Sequence, residues 1–343
     1  MHRLKTSLIV LLVVASQLAT GRIARADSVG RITTGGSITL FPVSSNSGPT
    51  GIVTGSDGKL WFTEETGNRV GRMSTSGSVT EFTLPTASAG PIGITAGPDG
   101  NVWFTEQAAG QIGTIAPNAT ITQYSLPEGT GPTGITTGSD GNLWFSDQNS
   151  DQIGSITPEG IITQYSLAAG SGPTGIASLG SNLWFTEQAA GVIGVISTGG
   201  TIGGQYSLAA NSGPSSITTL GDNLWFTEQT ASKIGEMSPD GTLLHEYSLP
   251  ANSGPSSITL GSDGNLWFTE QTAGMIGMMT PAGVLTQYGL PANSQPMGIT
   301  WGPNNNLWFT VATVVPSPEP ASAVLAAIGL VGLLALGLRR RGR

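Results

Sequence analysis

Six carboxylates stand at matching positions of a repeated sequence, each two residues after the Phe of a Trp-Phe pair. They are Glu64, Glu106, Asp147, Glu187, Glu228 and Glu270, and the seventh position holds Val311. Carboxylate oxygens are ligands that Ca²⁺ and Mg²⁺ prefer, so one interpretation is a ring of oxygen ligands for such a cation. The other is structural: each carboxylate accepts hydrogen bonds from backbone N–H groups of its own loop. We favour the structural interpretation, because a residue present in nearly every repeat usually serves the repeat.

A second set of candidates stands at a Gly-Pro corner (Gln-Pro in the last repeat) that precedes each Trp-Phe pair. The residue after the Pro is polar in five repeats: Thr50, Thr133, Thr174, Ser215 and Ser256. It is Ile92 in the second repeat and Met297 in the last. A hydroxyl both donates and accepts hydrogen bonds, so these side chains suit a polar ligand such as a glycan or a peptide.

The repeats predict the architecture that must position both sets. The Trp of the Trp-Phe pair recurs at 61, 103, 144, 184, 225, 267 and 308, a period of 40 to 42 residues. Each unit contains four short runs, typified by Gly-Ile-Thr, Leu-Trp-Phe-Thr, Ile-Gly-x-Ile and Ile-Thr-Gln-Tyr-Ser-Leu. Branched and aromatic residues predict strands, and an Asp-Gly pair before the second run predicts a hairpin turn. Four strands in a unit of this length predict an all-β fold, the β-propeller.

The two ends of the array predict how the propeller closes. The last unit stops after two strands, and two unassigned strands in residues 31–40 precede the first unit. The segment that begins Arg31-Ile-Thr aligns with the segment that begins Ser155-Ile-Thr, so the unassigned strands match the third and fourth strands of a unit. These N-terminal strands therefore complete the last blade. The prediction is a seven-bladed β-propeller of four-stranded blades in residues 27–315, closed so that no sheet edge of the ring is left open.

This architecture predicts where the candidate residues meet. Strands of a blade run alternately up and down, so the corner before the first strand and the loop after the second lie on one face. The six carboxylates and the corner residues are therefore expected to gather at one mouth of the ring. That mouth is the candidate ligand-binding face.

The charge of the predicted propeller restricts its partners. Residues 27–315 contain twenty acidic and five basic residues, a formal charge of −15. Such a body disfavours nucleic acid and anionic polymers and is compatible with cations or neutral glycans. No Cys is present, which excludes disulfides and thiol chemistry.

Catalytic residues are not predicted. His245 is the only His after residue 26, and it falls in the run expected to form an outermost strand. No arrangement of a nucleophile with a His base can be built from the rest of the chain.

Both termini predict export. Residues 1–26 combine Arg3 and Lys5 with an apolar run and a final Ala24-Arg-Ala, as in a cleaved signal peptide. Its apolar run is too short for the alternative, a membrane anchor. Residues 316–343 contain Pro318, Glu319 and Pro320, then an apolar run just long enough to span a membrane, then an Arg cluster. Four Arg directly behind that run disfavour a buried core helix and are expected on the cytoplasmic side.

The order of features in the tail resembles a PEP-CTERM sorting signal. The resemblance implies a Gram-negative bacterium and an exosortase-type processing enzyme as a partner. It also implies a transient membrane attachment through the C-terminal helix, then location in the cell envelope, at the cell surface or in an exopolysaccharide matrix.

The repeat consensus resembles the virginiamycin B lyase (streptogramin lyase) family through Gly-Pro-x-Gly-Ile-Thr, Asp-Gly-Asn-Leu-Trp-Phe-Thr-Glu and Ile-Thr-Gln-Tyr-Ser-Leu-Pro. The resemblance implies a seven-bladed propeller that opens the ester bond of streptogramin B antibiotics by elimination, with Mg²⁺ and a His base. That family carries His directly after the corner Pro and a metal-binding Glu before it. Here the following residue is Thr, Ile, Ser or Met, and the preceding residue is Gly, or Gln295 in the last unit.

The sequence favours a non-catalytic binding or scaffold module at the cell surface or in the matrix, whose partner is an exopolysaccharide or a surface protein. Near-uniform repeats suit a scaffold, whereas a catalytic site needs a few repeats to differ sharply. A lyase of the streptogramin type with a relocated site, holding Mg²⁺ or Ca²⁺, is the alternative. A purely structural surface protein is a third possibility.

Overall fold

The computed structural model of the chain describes residues 27–313. Its strands are β1 (Ser28–Thr33), β2 (Ile38–Pro42), β3 (Pro49–Thr54), β4 (Leu60–Glu64), β5 (Arg69–Met73), β6 (Val79–Thr83), β7 (Pro91–Ala96), β8 (Val102–Glu106), β9 (Gln111–Ile115), β10 (Ile121–Ser125), β11 (Pro132–Thr137), β12 (Leu143–Asp147), β13 (Gln152–Ile156), β14 (Ile162–Ser166), β15 (Pro173–Leu179), β16 (Asn182–Glu187), β17 (Val192–Ser197), β18 (Ile202–Ser207), β19 (Pro214–Leu220), β20 (Asn223–Glu228), β21 (Lys233–Met237), β22 (Leu243–Ser248), β23 (Pro255–Leu260), β24 (Leu266–Glu270), β25 (Met275–Met279), β26 (Leu285–Gly289), β27 (Ser294–Gly302) and β28 (Asn306–Thr313). A short 3₁₀ turn, Pro303–Asn305, joins the last two strands.

These strands form seven four-stranded antiparallel blades. Blades 1 to 6 each use four consecutive strands, from β3–β6 to β23–β26. Blade 7 is composite, with the order β2-β1-β28-β27 and with Arg31 opposite Trp308. The innermost strands of neighbouring blades touch all the way round, including β27 against β3. The predicted all-β, seven-bladed propeller closed by N-terminal strands is confirmed.

The core lies between blades. Trp61 of blade 1 packs against Val102 and Phe104 of blade 2, and Trp308 of blade 7 packs against Phe62 of blade 1. All seven repeat Trp side chains are at most 2% exposed. Each also stacks on an aromatic ring of its own fourth strand, as Trp103 does on Tyr124. The Trp-Phe pair therefore ties each blade to both of its neighbours.

A Gly in the third strand of every blade makes room for the Phe ring of the second strand. A Cβ atom added to Gly113 would lie 2.2 Å from the ring of Phe104, and one added to Gly235 would lie 2.2 Å from Phe226. The Gly in the Ile-Gly-x-Ile run is thus required by space rather than by a left-handed backbone. It also leaves a gap across the third strand that a side chain of the fourth strand can cross.

A β-bulge interrupts the first strand of blades 1 to 7 directly after the corner Pro. A bulge leaves backbone groups without ladder partners, and one hydroxyl of the second strand satisfies them. In blade 1, Thr63 Oγ1 accepts from the Gly51 amide at 2.9 Å and donates to the Ile92 carbonyl of blade 2 at 2.7 Å. The equivalent hydroxyls are Thr105, Ser146, Thr186, Thr227, Thr269 and Thr310. Thr310 donates to the Thr50 carbonyl and so completes a belt around the ring.

Several predictions from the termini lie outside the described residues. These are the signal peptide (1–26) and the sorting tail (316–343) with Pro318, Glu319 and Pro320. Within residues 27–313, no helix is long and apolar enough to cross a membrane.

Candidate functional site

The corner face of the ring is the face on which first strands begin and second strands end. Each of the six carboxylates is the last residue of its second strand and stands opposite the corner Pro, as Glu64 does opposite Pro49. The six residues are therefore on the predicted face. Each is at most 1% exposed, because its side chain points into its own blade rather than to solvent.

In three blades the buried carboxylate accepts hydrogen bonds from a Gln of the fourth strand. Gln123 Nε2 lies 2.8 and 2.7 Å from the two oxygens of Glu106. Gln123 reaches it because it stands opposite Gly113, which has no side chain to block the path. The same bond joins Gln205 to Glu187 and Gln287 to Glu270. Burial raises the pKa of Glu106 and Glu187, and the amide hydrogen bonds oppose that rise.

Blade 3 shows what one methylene changes. Asp147 accepts from the backbone amide of Gly131, just before the corner Pro, at 2.8 Å and from that of Ser150 at 3.3 Å. Only the bond from Ser150 is the capping of its own loop that the structural interpretation described. The amide nitrogen of Gln164, which would be its partner, is buried without a hydrogen bond. The shorter Asp side chain thus binds backbone amides at the corner and in its own loop, whereas the longer Glu reaches the fourth strand in blades 2, 4 and 6.

Blade 1 replaces the fourth-strand Gln with a carboxylate and adds a cation. Glu81 stands opposite Gly71, and Arg69 Nε donates to Glu64 at 2.8 Å while an Arg69 terminal nitrogen lies 3.2 Å from Glu81. Burial and the nearby Glu81 raise the pKa of Glu64, and Arg69 opposes this. One guanidinium therefore bridges two carboxylates.

Blade 5 makes the same replacement with a Lys. Lys233 Nζ lies 2.7 Å from Glu246 Oε2, but neither oxygen of Glu228 has a hydrogen-bond partner and Glu246 Oε1 has none. Burial, reinforced by Glu246, raises the pKa of Glu228 to about 7. Below this pKa the Glu228 carboxyl carries a proton, and a protonated carboxyl can donate to one oxygen of Glu246.

The corner residues divide into two groups. The hydroxyls of Thr50, Thr133 and Thr174 each lie 2.8 or 2.9 Å from the belt hydroxyl of the same blade. They also donate to corner carbonyls of the next blade, so they extend the belt. Ser215 and Ser256 are half-buried and their carbonyls accept from the belt.

The carboxylates do not fit a site for Mg²⁺ or Ca²⁺. Across residues 27–313, no group of three or more His, Cys, Asp or Glu side chains is arranged to hold a metal ion. Each carboxylate belongs to a different blade, and in five of the six a Gln amide, a backbone N–H group or an Arg donates to at least one of its oxygens.

His245 lies on the fourth strand of blade 5. It is 62% exposed, its Nδ1 lies 2.9 Å from Glu236 Oε2, and its ring stacks on Tyr247. It is the only His within residues 27–313, and it is on an outer strand rather than at a corner.

Two sets of residues in the structure were not predicted from the sequence. One is the Gln that crosses the third strand, signalled by the Gln of each Ile-Thr-Gln-Tyr run. The other is the belt hydroxyl, signalled by a Thr or Ser after every Trp-Phe pair.

Together these features define a closed, seven-bladed β-propeller with small polar residues at five of its corners and a buried carboxylate in six of its blades. A model of the virginiamycin B lyase family matches residues 21–209 and 204–314, and the chain belongs to that family. Among curated proteins, no sequence shows significant similarity to the chain.

Solved structures agree. A structure of streptogramin B lyase is 36% identical, covers 83% of this chain and 95% of its own, and has a TM-score of 0.75. Selenomethionine-substituted virginiamycin B lyase from Staphylococcus aureus is 34% identical, with 83% and 99% covered and a TM-score of 0.72. A catalytically inactive variant of that enzyme with quinupristin, in which Ala replaces a His, is 33% identical over the same shares, with a TM-score of 0.73.

Proposed function

We propose that this protein is a non-catalytic member of its family, which is exported and binds a partner through its corner face at the cell surface or in the matrix. The observation that carries the proposal is the absence of a corner His within residues 27–313. Thr, Ile, Ser and Met occupy those positions. Replacing a His by Ala inactivates the relative from S. aureus, and loss of a general base typically costs about 10²–10⁴-fold in rate.

The carboxylates support the same proposal. A catalytic acid or base must reach its substrate within hydrogen-bond distance, whereas all six carboxylates are buried inside their blades. Their partners lie in the same blade, so their role is to join the second strand to the rest of the sheet. The belt and the carboxylates leave the corner face as a rigid frame on which a ligand can bind.

The test is turnover of a streptogramin B antibiotic by the purified full-length protein with Mg²⁺, followed by chromatographic separation of the ring-opened product. We expect no linear product, while an active enzyme of the family run in parallel linearises the antibiotic. Linearisation by this protein would overturn the proposal and favour the second candidate, a lyase with a relocated site. The family match over all of residues 27–313 is the observation that favours that candidate.

Export is tested separately, in a Gram-negative host that carries an exosortase-type enzyme. We expect the protein at the cell surface or in the medium, and a triple variant Pro318→Ala/Glu319→Ala/Pro320→Ala in the membrane fraction. Identical fractionation of both proteins would contradict processing at this motif.

A further inference from the structure

A row of half-buried glutamines follows the buried carboxylates on the corner face. In five consecutive blades the residue directly after the buried carboxylate is Gln107, Gln148, Gln188, Gln229 or Gln271, together called the glutamine girdle. All five are half-buried. The girdle stops at blades 1 and 7, where Glu65 and Ala312 hold the same position.

The girdle amides bind one another across blade boundaries. Gln107 Nε2 donates to Gln148 Oε1 at 3.4 Å, Gln188 to Gln229 at 3.1 Å, and Gln229 to Gln271 at 3.1 Å. The amide nitrogen of Gln271 contacts Met297 Sδ of blade 7. Each donation runs in the same direction around the ring. A primary amide has two N–H donors and two lone pairs on its oxygen, so each keeps capacity for a ligand after bonding its neighbour.

The hydrogen bonds between neighbouring amides restrict the glutamine side chains before any ligand binds. Ordering a long side chain at an interface costs free energy, and the neighbouring amide has already restricted each glutamine. The girdle thus presents preoriented, uncharged donors and acceptors in two hydrogen-bonded groups, one across blades 2 and 3 and one across blades 4 to 6.

Two clefts open beside the girdle at equivalent positions. The first, of about 650 Å³, lies between blades 2 and 3 and is lined by Gln107, Ser125, Leu126, Thr130 and Asn149, among others. The second, of about 470 Å³, lies between blades 5 and 6 and is lined by Gln229, Ser248, Leu249, Asn252 and Thr272, among others. Each cleft thus combines one girdle amide, further polar side chains and exposed apolar carbon, from Ala108 in the first cleft and Ala251 in the second.

The chemistry of these linings selects an uncharged ligand. The second cleft has no acidic or basic lining residue, and the first has only Glu128. The charge of −15 on residues 27–315 repels anions. Sugars carry hydroxyls that both donate and accept, and C–H faces that pack on apolar carbon. We propose that the glutamine girdle and its two clefts bind a neutral oligosaccharide, an inference that rests on the proposed binding function of this face.

The test uses an array of immobilised oligosaccharides that contains neutral chains and chains with uronic acids. The full-length protein is compared with the double variant Gln107→Met/Gln229→Met, which keeps side-chain length and removes the amides. Asn142→Leu, an amide in the turn on the opposite face, is the matched control. We expect neutral chains to be retained by the parent and the control, and at least about tenfold weaker retention by the double variant.

A second variant guards against an effect on folding. Asn149→Leu/Thr272→Val alters one exposed lining residue in each cleft and is expected to weaken retention of the same neutral chains. Three results would overturn the inference: no retained neutral chain, retention of uronic-acid chains alone, or retention that both double variants leave unchanged. Failure on the array with no antibiotic turnover removes this inference and leaves the proposed function standing, whereas turnover of the antibiotic removes the proposed function itself.

Discussion

Blades 1 and 5 each contain a pair of facing carboxylates, but the cation beside the pair is Arg in blade 1 and Lys in blade 5. Each places a second carboxylate, Glu81 or Glu246, opposite the third-strand Gly, where blades 2, 3, 4 and 6 have Gln. Blade 1 adds Arg69, which touches both carboxylates. The salt bridges of Lys233 in blade 5 extend only to Glu246. Arg carries a rigid fork of donors and Lys a single point charge, so the choice of cation decides whether the buried carboxylate is paired.

The protonation of the two buried carboxylates follows from this difference. The guanidinium opposes the effect of burial on Glu64 through a direct hydrogen bond. Glu228 has only a distant charge to oppose its burial, so its pKa reaches about 7. Blade 5 therefore holds a titrating group close to neutral pH.

Removing the Arg69 bridge between Glu64 and Glu81 in blade 1 should lower the free energy of unfolding more than any other change proposed here. Arg69→Ala leaves Glu64 and Glu81 facing each other with no cation, and an uncompensated buried charge costs about 3–5 kcal/mol. Urea unfolding at pH 8 measures the loss. The variant Arg69→Ala/Glu81→Gln rebuilds the Glu–Gln pair of the other blades and should recover most of the stability. A single-variant loss under about 1 kcal/mol would mean that the bridge has no structural role.

Placing a second carboxylate in blade 2 without a cation should lower the free energy of unfolding slightly less than Arg69→Ala does. In Gln123→Glu the new carboxylate faces the fully buried Glu106, and we expect a loss of about 3 kcal/mol at pH 8, since one of the pair must take up a proton. The loss should shrink at pH 5, where that proton is readily available. Gln123→Met, which loses the hydrogen bonds but adds no charge, is the control for the pH effect. A loss that does not change with pH would refute the electrostatic explanation.

Removing the titrating group of blade 5 should stabilise the protein at alkaline pH. The folded-state pKa of Glu228 is about 7 against an ordinary value of 4.5, so its stabilising contribution is fully present below about pH 4.5 and is lost as the pH rises to 7. Glu228→Gln removes this loss and should gain about 2–3 kcal/mol at pH 8, with no gain at pH 4. Unfolding free energies between pH 4 and 9 give the profile. Glu65→Gln, at an exposed position, should leave the profile unchanged.

The sequence predicted the fold because the fold depends on features that repeat. The period of the Trp-Phe pair, the four runs of each unit and the two unassigned N-terminal strands were enough to predict seven closed blades. The sequence also predicted the face on which the carboxylates lie, since their position after the second strand follows from strand order.

The burial of those carboxylates depended on details that a repeat pattern does not show. Glu106 and Gln123 are 17 residues apart, and they meet because Gly113 leaves a gap between them. The belt formed by Thr63 and its equivalents depends on a bulge, and nothing in the residue types announces an extra residue in a strand. The difference between Asp147 and Glu106 arises from the length of one side chain. Each of these required the register of four strands, which the sequence leaves open.

The substitution with the smallest expected effect on stability converts the ion pair of blade 5 into that of blade 1. Lys233→Arg supplies a fork that can reach Glu228 as well as Glu246, as Arg69 reaches Glu64 and Glu81. A new hydrogen bond to the ionised form lowers the pKa of the carboxyl, and we expect the pKa of Glu228 to fall by about one unit. The gain is then about 1 kcal/mol at pH 8 and close to zero at pH 4.

The reverse substitution, Arg69→Lys, tests the same idea in blade 1 and should raise the pKa of Glu64 and cost about 1 kcal/mol at pH 8. Titration of the Glu228 carboxyl by NMR in the parent and in Lys233→Arg reads the shift directly. An unchanged pKa in Lys233→Arg would mean that the geometry of the fork is not what separates the two blades. Because Glu64 and Glu228 are equally buried, the neighbouring carboxylates and the hydrogen bond of Ser47 to Glu64 would then have to account for the difference.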